Sequence, residues 1–200
     1  MTVHGPRKAA AFTLIELLIV MALMVVMYVM CFSFSSEVHQ KTQKERCADN
    51  LQKIYLAMQI YANDYGQFPV NTNAQTSEQV LTVLVPRYTA DTSIFICPGG
   101  RDRAIPQGAP LDKYKISYAD YMGQGTNDPA AFLMSDRQIN TFSKNIGDQV
   151  FSLTGKAPGN NHYKYGGNVL FCDGSVQATP PNLTFSLAFS NGIVLLNPKP

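Results

Sequence analysis

The segment FTLIELLIV, residues 12–20, opens an apolar run that continues to Phe34. Glu16 is the only charged side chain in that run. At about 1.5 Å per residue, a helix of this length crosses a hydrocarbon core of about 30 Å. The run therefore predicts a transmembrane helix over residues 12–34, with one carboxylate near its start.

A carboxylate in a membrane helix is unfavourable, by roughly 2.5 to 3.5 kcal/mol near the helix centre and by less toward an interface. Such a residue usually has a functional partner. For Glu16 two interpretations stay open, a charged partner on another chain or hydration at the membrane surface without a partner. An ordinary secretory signal would have a shorter apolar core followed by a small-residue cleavage site, and no such site interrupts the run to Phe34.

The stretch from Phe12 to Leu18, after a short basic leader, closely resembles the type IV prepilin signature shared by pilins and by the pseudopilins of type II secretion. The resemblance implies that prepilin peptidase removes residues 1–11 by cutting between Ala11 and Phe12, and then methylates the new amine. The family usually has Gly before the cut, where this chain has Ala11. The resemblance also implies that Glu16 pairs with the N-terminal amine of a neighbouring subunit and so favours assembly.

Charge alone leaves the topology open, because basic residues lie on both sides of the apolar run. The resemblance implies a single-pass inner-membrane protein with its leader in the cytoplasm and its domain outside, within a surface or periplasmic filament after assembly. The expected partners are the peptidase, copies of the chain or related pilin-like subunits, and membrane lipid. A net charge of +2 with 15% charged residues gives no reason to expect nucleic acid. We expect a structural subunit with no cofactor, not an enzyme.

The helix is predicted to continue beyond the membrane over residues 35–66. There is no Pro or Gly from Ser35 to Tyr65, and apolar residues recur there at spacings of three and four. Gly66 and the Phe68-Pro69 pair end the helix. Residues 67–200 remain for one globular domain. The predicted fold is α+β and pilin-like, with the outer half of the helix packed on an antiparallel sheet.

Turn signals in the second half of the chain predict the sheet. Asp173-Gly174 between two apolar runs predicts a hairpin with a two-residue type I′ turn, and Asn191-Gly192 predicts a second hairpin. A short helix capped at Thr76 is predicted through Val85. Further strands are predicted at Ile94–Cys97, Ile116–Met122 and Ala131–Ser135.

Three further patches resemble prepilin-like proteins that end in a His-x9-Asp-Gly motif. They are Cys47–Ile54, Tyr61–Gly66 with the following Phe68-Pro69, and Phe95–Pro98.

In this chain ten residues, 163–172, separate His162 from Asp173. An alternative function is a membrane-tethered enzyme or ligand-binding module in which His162, Asp173 and Asp136 bind a divalent metal. Calcium, however, prefers six to eight oxygen ligands. Asp173 also suits its turn without any metal, so we predict no metal site.

The four cysteines are Cys31, Cys47, Cys97 and Cys172, and they contain no Cys-x-x-Cys pair that would indicate a zinc site. Cys31 lies in the membrane run. A disulfide between Cys97 and Cys172 is the preferred pairing if the domain lies outside the cytoplasm, with Cys47 as the competing partner for either.

Overall fold

The computed structural model of the chain describes most of the sequence, with the backbone alone over residues 32–37. The described residues are 12–125, 128–139, 145–156, 161–184 and 193–200.

The described chain divides into two compact units, Met1–His39 and Gln40–Pro200. In the first unit, every residue of Leu14–Cys31 is exposed and none is buried. Among the described residues, this is the one helical segment long and apolar enough to cross a membrane.

Helix α1 runs from Leu14 to Tyr65. It ends where the sequence predicts, because Gly66 adopts a positive φ of 77° and its N–H donates to the carbonyl of Ala62 at 2.7 Å. This is the left-handed cap that favours glycine at the end of a helix. The continuous helix α1 confirms the long helix that the sequence predicts.

The second unit contains a five-stranded antiparallel sheet in the order β4-β3-β2-β1-β5. The strands are β1 (Tyr118–Met122), β2 (Phe132–Asp136), β3 (Gly167–Phe171), β4 (Val176–Thr179) and β5 (Val194–Leu196). One long helix and an antiparallel sheet give the α+β, pilin-like arrangement expected from the sequence.

The main core lies between the outer half of α1 and the sheet. Buried residues of α1 in this core are Cys47, Leu51, Ile54, Ala57, Met58 and Ala62. They pack in one cluster with buried residues of the sheet, among them Tyr118, Leu133, Met134 and Leu170. A second cluster, not predicted from the sequence, contains Ala119, Tyr121, Val150, Phe151, Val169 and Leu195. Burial of both sets explains why β1, β2 and β3 are buried along nearly their whole length and not at alternate residues only.

The helix predicted from Thr76 is shorter than expected. It appears as α2 (Ser77–Leu81), followed by a 3-10 turn at Thr82–Leu84. Thr76 occupies the N-cap position, but its side chain makes no capping hydrogen bond.

The predicted strand at Ile94–Cys97 is wrong. Residues Thr92–Phe95 form a 3-10 helix, because the Asp91 side chain accepts a hydrogen bond from the Ser93 N–H at 3.0 Å and so starts a helical turn.

The hairpin between β3 and β4 is confirmed, but its turn differs from the prediction. A type I′ turn needs a positive φ at both central residues. Only Gly174 has one, 85°, whereas Asp173 does not. The Phe171 N–H donates to the Ser175 carbonyl at 2.9 Å, and the Gly174 N–H donates to the Phe171 carbonyl at 3.0 Å. The connection is therefore a three-residue loop with glycine in the left-handed position.

The predicted second turn, Asn191-Gly192, lies outside the described residues. The strand that follows it, β5, pairs antiparallel with β1 through Tyr121 and Leu195.

Candidate functional site

The N-terminal end of α1 carries Glu16 in a capping box. The Glu16 N–H donates to the Thr13 hydroxyl at 3.3 Å, and the Thr13 N–H donates to Glu16 Oε2 at 3.1 Å. The Thr13 hydroxyl also lies 3.1 Å from Glu16 Oε2. This reciprocal pattern satisfies two of the free N–H groups at a helix start.

Sequence reasoning treated Glu16 only as a docking residue and missed this local role. The signal was present, because Thr-x-x-Glu before an apolar run is the sequence pattern of a capping box. Both Glu16 and Phe12 are exposed in the first unit. Ala11 lies outside the described residues, so cleavage before Phe12 stays a prediction.

In the second unit, a buried polar cluster forms around Asp136, the last residue of β2. His162 Nε2 lies 3.3 Å from Asp136 Oδ2, and the two side chains are 0% and 1% exposed. Asn161 Nδ2 donates to Asp136 Oδ1 at 3.1 Å, and the Asn168 N–H donates to Oδ2 at 2.6 Å. The structure therefore joins two of the residues that sequence reasoning singled out as possible ligands.

The surroundings of Asp136 favour its charged form. Burial by itself would raise the pKa of the carboxyl group. The electrostatic interaction with His162 and the hydrogen bonds from His162, Asn161 and Asn168 outweigh burial, and the pKa of Asp136 lies below its usual value. Pairing and hydrogen bonding of this kind offset the unfavourable free energy of burying a carboxylate.

Close backbone contact holds the His162 ring from its other side. A Cβ atom at Gly99 would lie 2.8 Å from His162 Nδ1, so only glycine allows the chain to pass this close. His162 Nδ1 is buried and has no hydrogen-bond partner among the described residues. The next residue, Tyr163, has a φ of 51°, which is unusual for a bulky side chain.

Lys44 supports the same region from α1. Its ammonium group donates to the carbonyls of Tyr165 at 2.9 Å and Thr179 at 2.6 Å. Burial lowers the pKa of Lys44, and the nearby negative charge of Asp136 opposes that shift. The helix is thereby attached by hydrogen bonds to the segments on both sides of β3.

Asp173 is not part of this cluster. It is exposed in the turn between β3 and β4, where Oδ1 accepts a hydrogen bond from the Ser175 N–H at 2.8 Å. Its hydrogen bonds with Ser175 lower the pKa of the carboxyl group. The turn accounts for Asp173, and the proposed triad of His162, Asp173 and Asp136 is not assembled.

The predicted disulfide between Cys97 and Cys172 is wrong. Cys97 is bonded to Cys47 of α1, with their Cα atoms 5.4 Å apart. The 3-10 helix before Cys97 brings it to the buried face of α1, whereas Cys172 follows β3 into the turn. Cys172 is a free, buried thiol whose pKa is raised to about 12, first by burial and then by nearby acidic residues.

A cleft of about 430 Å³ adjoins the buried cluster, because Gly99 and Asn161 line its wall. Its charged lining residues are Arg101, Asp102, Lys115, Arg137 and Lys156. Asp102 pairs with Arg137 at 2.9 Å and lies 3.8 Å from Lys115. The remaining positive charge suits an anion more than a cation.

Comparison with known families gives one result, and it falls at the N-terminus. Residues 6–30 match the model of the prokaryotic N-terminal methylation motif. The chain carries a prepilin-type methylation motif. This motif supports a type IV pilin-like protein, and families with it are structural rather than enzymatic. Neither the curated proteins nor the solved structures gave a match to this chain.

The methylation motif and the apolar segment of α1 coincide. Together they fit a protein anchored in the inner membrane with an extracytoplasmic domain. The motif also implies processing by prepilin peptidase and assembly with other pilin subunits. It does not extend into the unit Gln40–Pro200, so it assigns no role to the cluster around Asp136.

Proposed function

We propose that this chain is a structural subunit of a pilus-like or type II secretion pseudopilus filament. Prepilin peptidase cleaves before Phe12, and the mature chain assembles through the first part of α1. The observation that carries this proposal is the overlap of the methylation motif, residues 6–30, with the exposed apolar segment Leu14–Cys31.

Assembly explains both the exposed apolar side chains of that segment and the charge of Glu16. Apolar side chains that are exposed in a single chain pack against lipid or against the same segment of other subunits. Glu16 then pairs with the Phe12 amine of a neighbour. At a separation of about 4 Å, such a pair is worth from about 1 kcal/mol in water to about 4 kcal/mol at an effective dielectric constant of 20.

The capping box allows the charge of Glu16 to be tested apart from its local hydrogen bonds. Gln at position 16 keeps a side chain that can cap the helix, but removes the negative charge. Ala at position 13 removes the capping hydroxyl, but keeps the charge of Glu16. We expect Glu16→Gln to insert into the membrane without forming filaments, and Thr13→Ala to form them.

The measurement is the amount of sheared or pelleted filament relative to total membrane protein, together with the mass of the N-terminal peptide. A processed chain starts at Phe12, with or without a methyl group. If Glu16→Gln is processed and still assembles like the native chain, the charge-pairing mechanism is wrong. If the native chain keeps residues 1–11 in its own membranes, the processing step is wrong.

The alternative function, a tethered enzyme or binding module, receives less support from the geometry. His162 and Asp136 lie together, but both are buried, so neither presents a reactive atom to solvent. Their hydrogen bonds favour a structural role in joining β2 to the segment before β3. Because Asp173 lies in a turn outside the cluster, no catalytic arrangement of the three residues supports an enzyme.

A further inference from the structure

Four side chains with metal-binding atoms converge in the core of the unit Gln40–Pro200. They are Cys47, Cys97, Asp136 and His162, and one ligand atom from each lies within 4.8 Å of all the others. All four residues are buried. They come from four separate parts of the chain, so the fold, and not a local sequence motif, brings them together.

The distances from His162 match the edges of a zinc tetrahedron. With zinc bonds of about 2.0–2.3 Å, a nitrogen and a sulfur ligand lie about 3.6 Å apart, and a nitrogen and an oxygen ligand about 3.4 Å apart. His162 Nε2 lies 3.5 Å from Cys97 Sγ and 3.3 Å from Asp136 Oδ2. Two of the six edges of the tetrahedron are therefore already present.

The edge between the sulfur atoms is shorter than zinc requires, because Cys47 and Cys97 are joined in a disulfide. Bonded sulfur atoms are about 2.05 Å apart, whereas two zinc-bound thiolates lie about 3.8 Å apart. The Cα atoms are 5.4 Å apart, so side-chain rotation after reduction can supply the difference without a shift of α1.

We propose that the reduced chain binds one Zn²⁺ through Cys47, Cys97, Asp136 and His162. Two thiolates, an imidazole and a carboxylate are ligand types that zinc takes, and a fully buried set of four is typical of a structural site. Lys44 lies one turn before Cys47 and within electrostatic range of Asp136, so it offsets the net negative charge of this ligand set. The site does not depend on the proposed filament function.

Zinc in the reduced chain and the disulfide in the oxidised chain each hold Cys47 and Cys97 together. A dithiol reductant delivers two electrons and two protons, the bond between Cys47 and Cys97 breaks to give two thiols, and the reductant becomes a disulfide. Zinc binding then displaces the two thiol protons to the buffer, and His162 binds the metal through Nε2 with its ring proton on Nδ1. In either state α1 stays attached to the segment after Phe95.

The test compares the oxidised and reduced full-length chain in detergent. Zinc binding is measured by competition with a chromophoric chelator, and Co²⁺ is used as a spectroscopic substitute. We expect the reduced chain to bind one metal ion, with a thiolate-to-cobalt charge-transfer band and the visible bands of tetrahedral Co²⁺. The oxidised chain should bind neither metal at this site.

Variants identify the ligands. Cys172→Ser removes a buried cysteine outside the cluster and should bind zinc like the native chain. Asp136→Asn and Cys97→Ser should each bind zinc at least about 100-fold more weakly. Even the loss of a residue that only orients a zinc ligand lowers metal affinity about 10- to 100-fold. Alkylation followed by peptide mass analysis should show that zinc protects Cys47 and Cys97.

Several results would overturn the proposal. The first is a reduced, folded chain that binds zinc no more tightly than the oxidised chain. The second is native affinity in Asp136→Asn, or a cobalt spectrum without a thiolate band. If reduction unfolds the chain, added zinc must restore its circular dichroism spectrum, and failure to do so refutes the site equally.

Discussion

Replacement of Asp120 by Asn should remove a large part of the pH dependence of folding. Asp120 lies in β1, the strand between β2 and β5, opposite Met134 and Leu196. It is 1% exposed, and its Oδ2 atom has no hydrogen-bond partner among the described residues. Burial raises the pKa of this carboxyl group to about 8.

The sign and size of the effect follow from that shift. Between about pH 4, where the unfolded carboxyl ionises, and the folded pKa of about 8, the folded chain holds a proton that the unfolded chain has lost. The free energy of unfolding therefore falls as the pH rises, by about 1.4 kcal/mol per pH unit. From pH 5 to pH 7, the ionisation of Asp120 should lower the free energy of unfolding of the native chain by about 2.7 kcal/mol, and Asp120→Asn should not show this loss.

The assay is urea unfolding of the full chain in detergent at pH 5 and pH 7. Tyrosine fluorescence can follow it, since the chain has 10 Tyr and no Trp. Asp49→Asn, on the exposed face of α1, is the control with the same change of side chain. The reasoning fails if Asp120→Asn loses as much stability between the two pH values as the native chain and the control do.

Two predictions concern packing against α1, and both are measured by the same unfolding assay. Gly174→Ala combines a positive φ with a Cβ atom 2.4 Å from the Tyr55 ring, so it should lower the free energy of unfolding by about 2 to 5 kcal/mol. Gly147→Ala has a positive φ but open space around its Cβ, and an equal cost there would rule out the clash with Tyr55. Leu51→Ala, at 0% exposure, should cost about 2 to 5 kcal/mol, and Leu56→Ala, at 61%, should change stability by about 0.5 kcal/mol or less. Equal costs for the two leucines would mean that the buried face of α1 is wrongly placed.

Features that depend on neighbouring residues were predictable from the sequence. The apolar run from Phe12, the spacing of core residues in α1 and the stop at Gly66 each follow from a periodicity or a single residue. The hairpin around Asp173-Gly174 was predictable for the same reason. Its turn type was not, because a left-handed glycine fits both a two-residue and a three-residue loop.

Features that join distant parts of the chain were not predictable. The pairing of Cys47 with Cys97 depends on how a 3-10 helix meets α1, and four cysteines allow several pairings. The contact between Asp136 and His162 likewise depends on which strand lies beside which. The resemblance to a His-x9-Asp-Gly motif suggested Asp173 as the partner of His162, although the spacing here is one residue longer, and the fold gives that place to Asp136.

The position of the disulfide along α1 determines how the subunit responds to tension. Among the buried core residues of α1, Cys47 comes first, and Leu51, Ile54 and Met58 follow it toward the C-terminus. A pulling force applied at the membrane end of the helix reaches the covalent bond before it reaches the packed side chains. The hydrogen bonds of Lys44 lie before Cys47, and once they break, peeling of the helix from the sheet cannot pass Cys47 while the disulfide is intact.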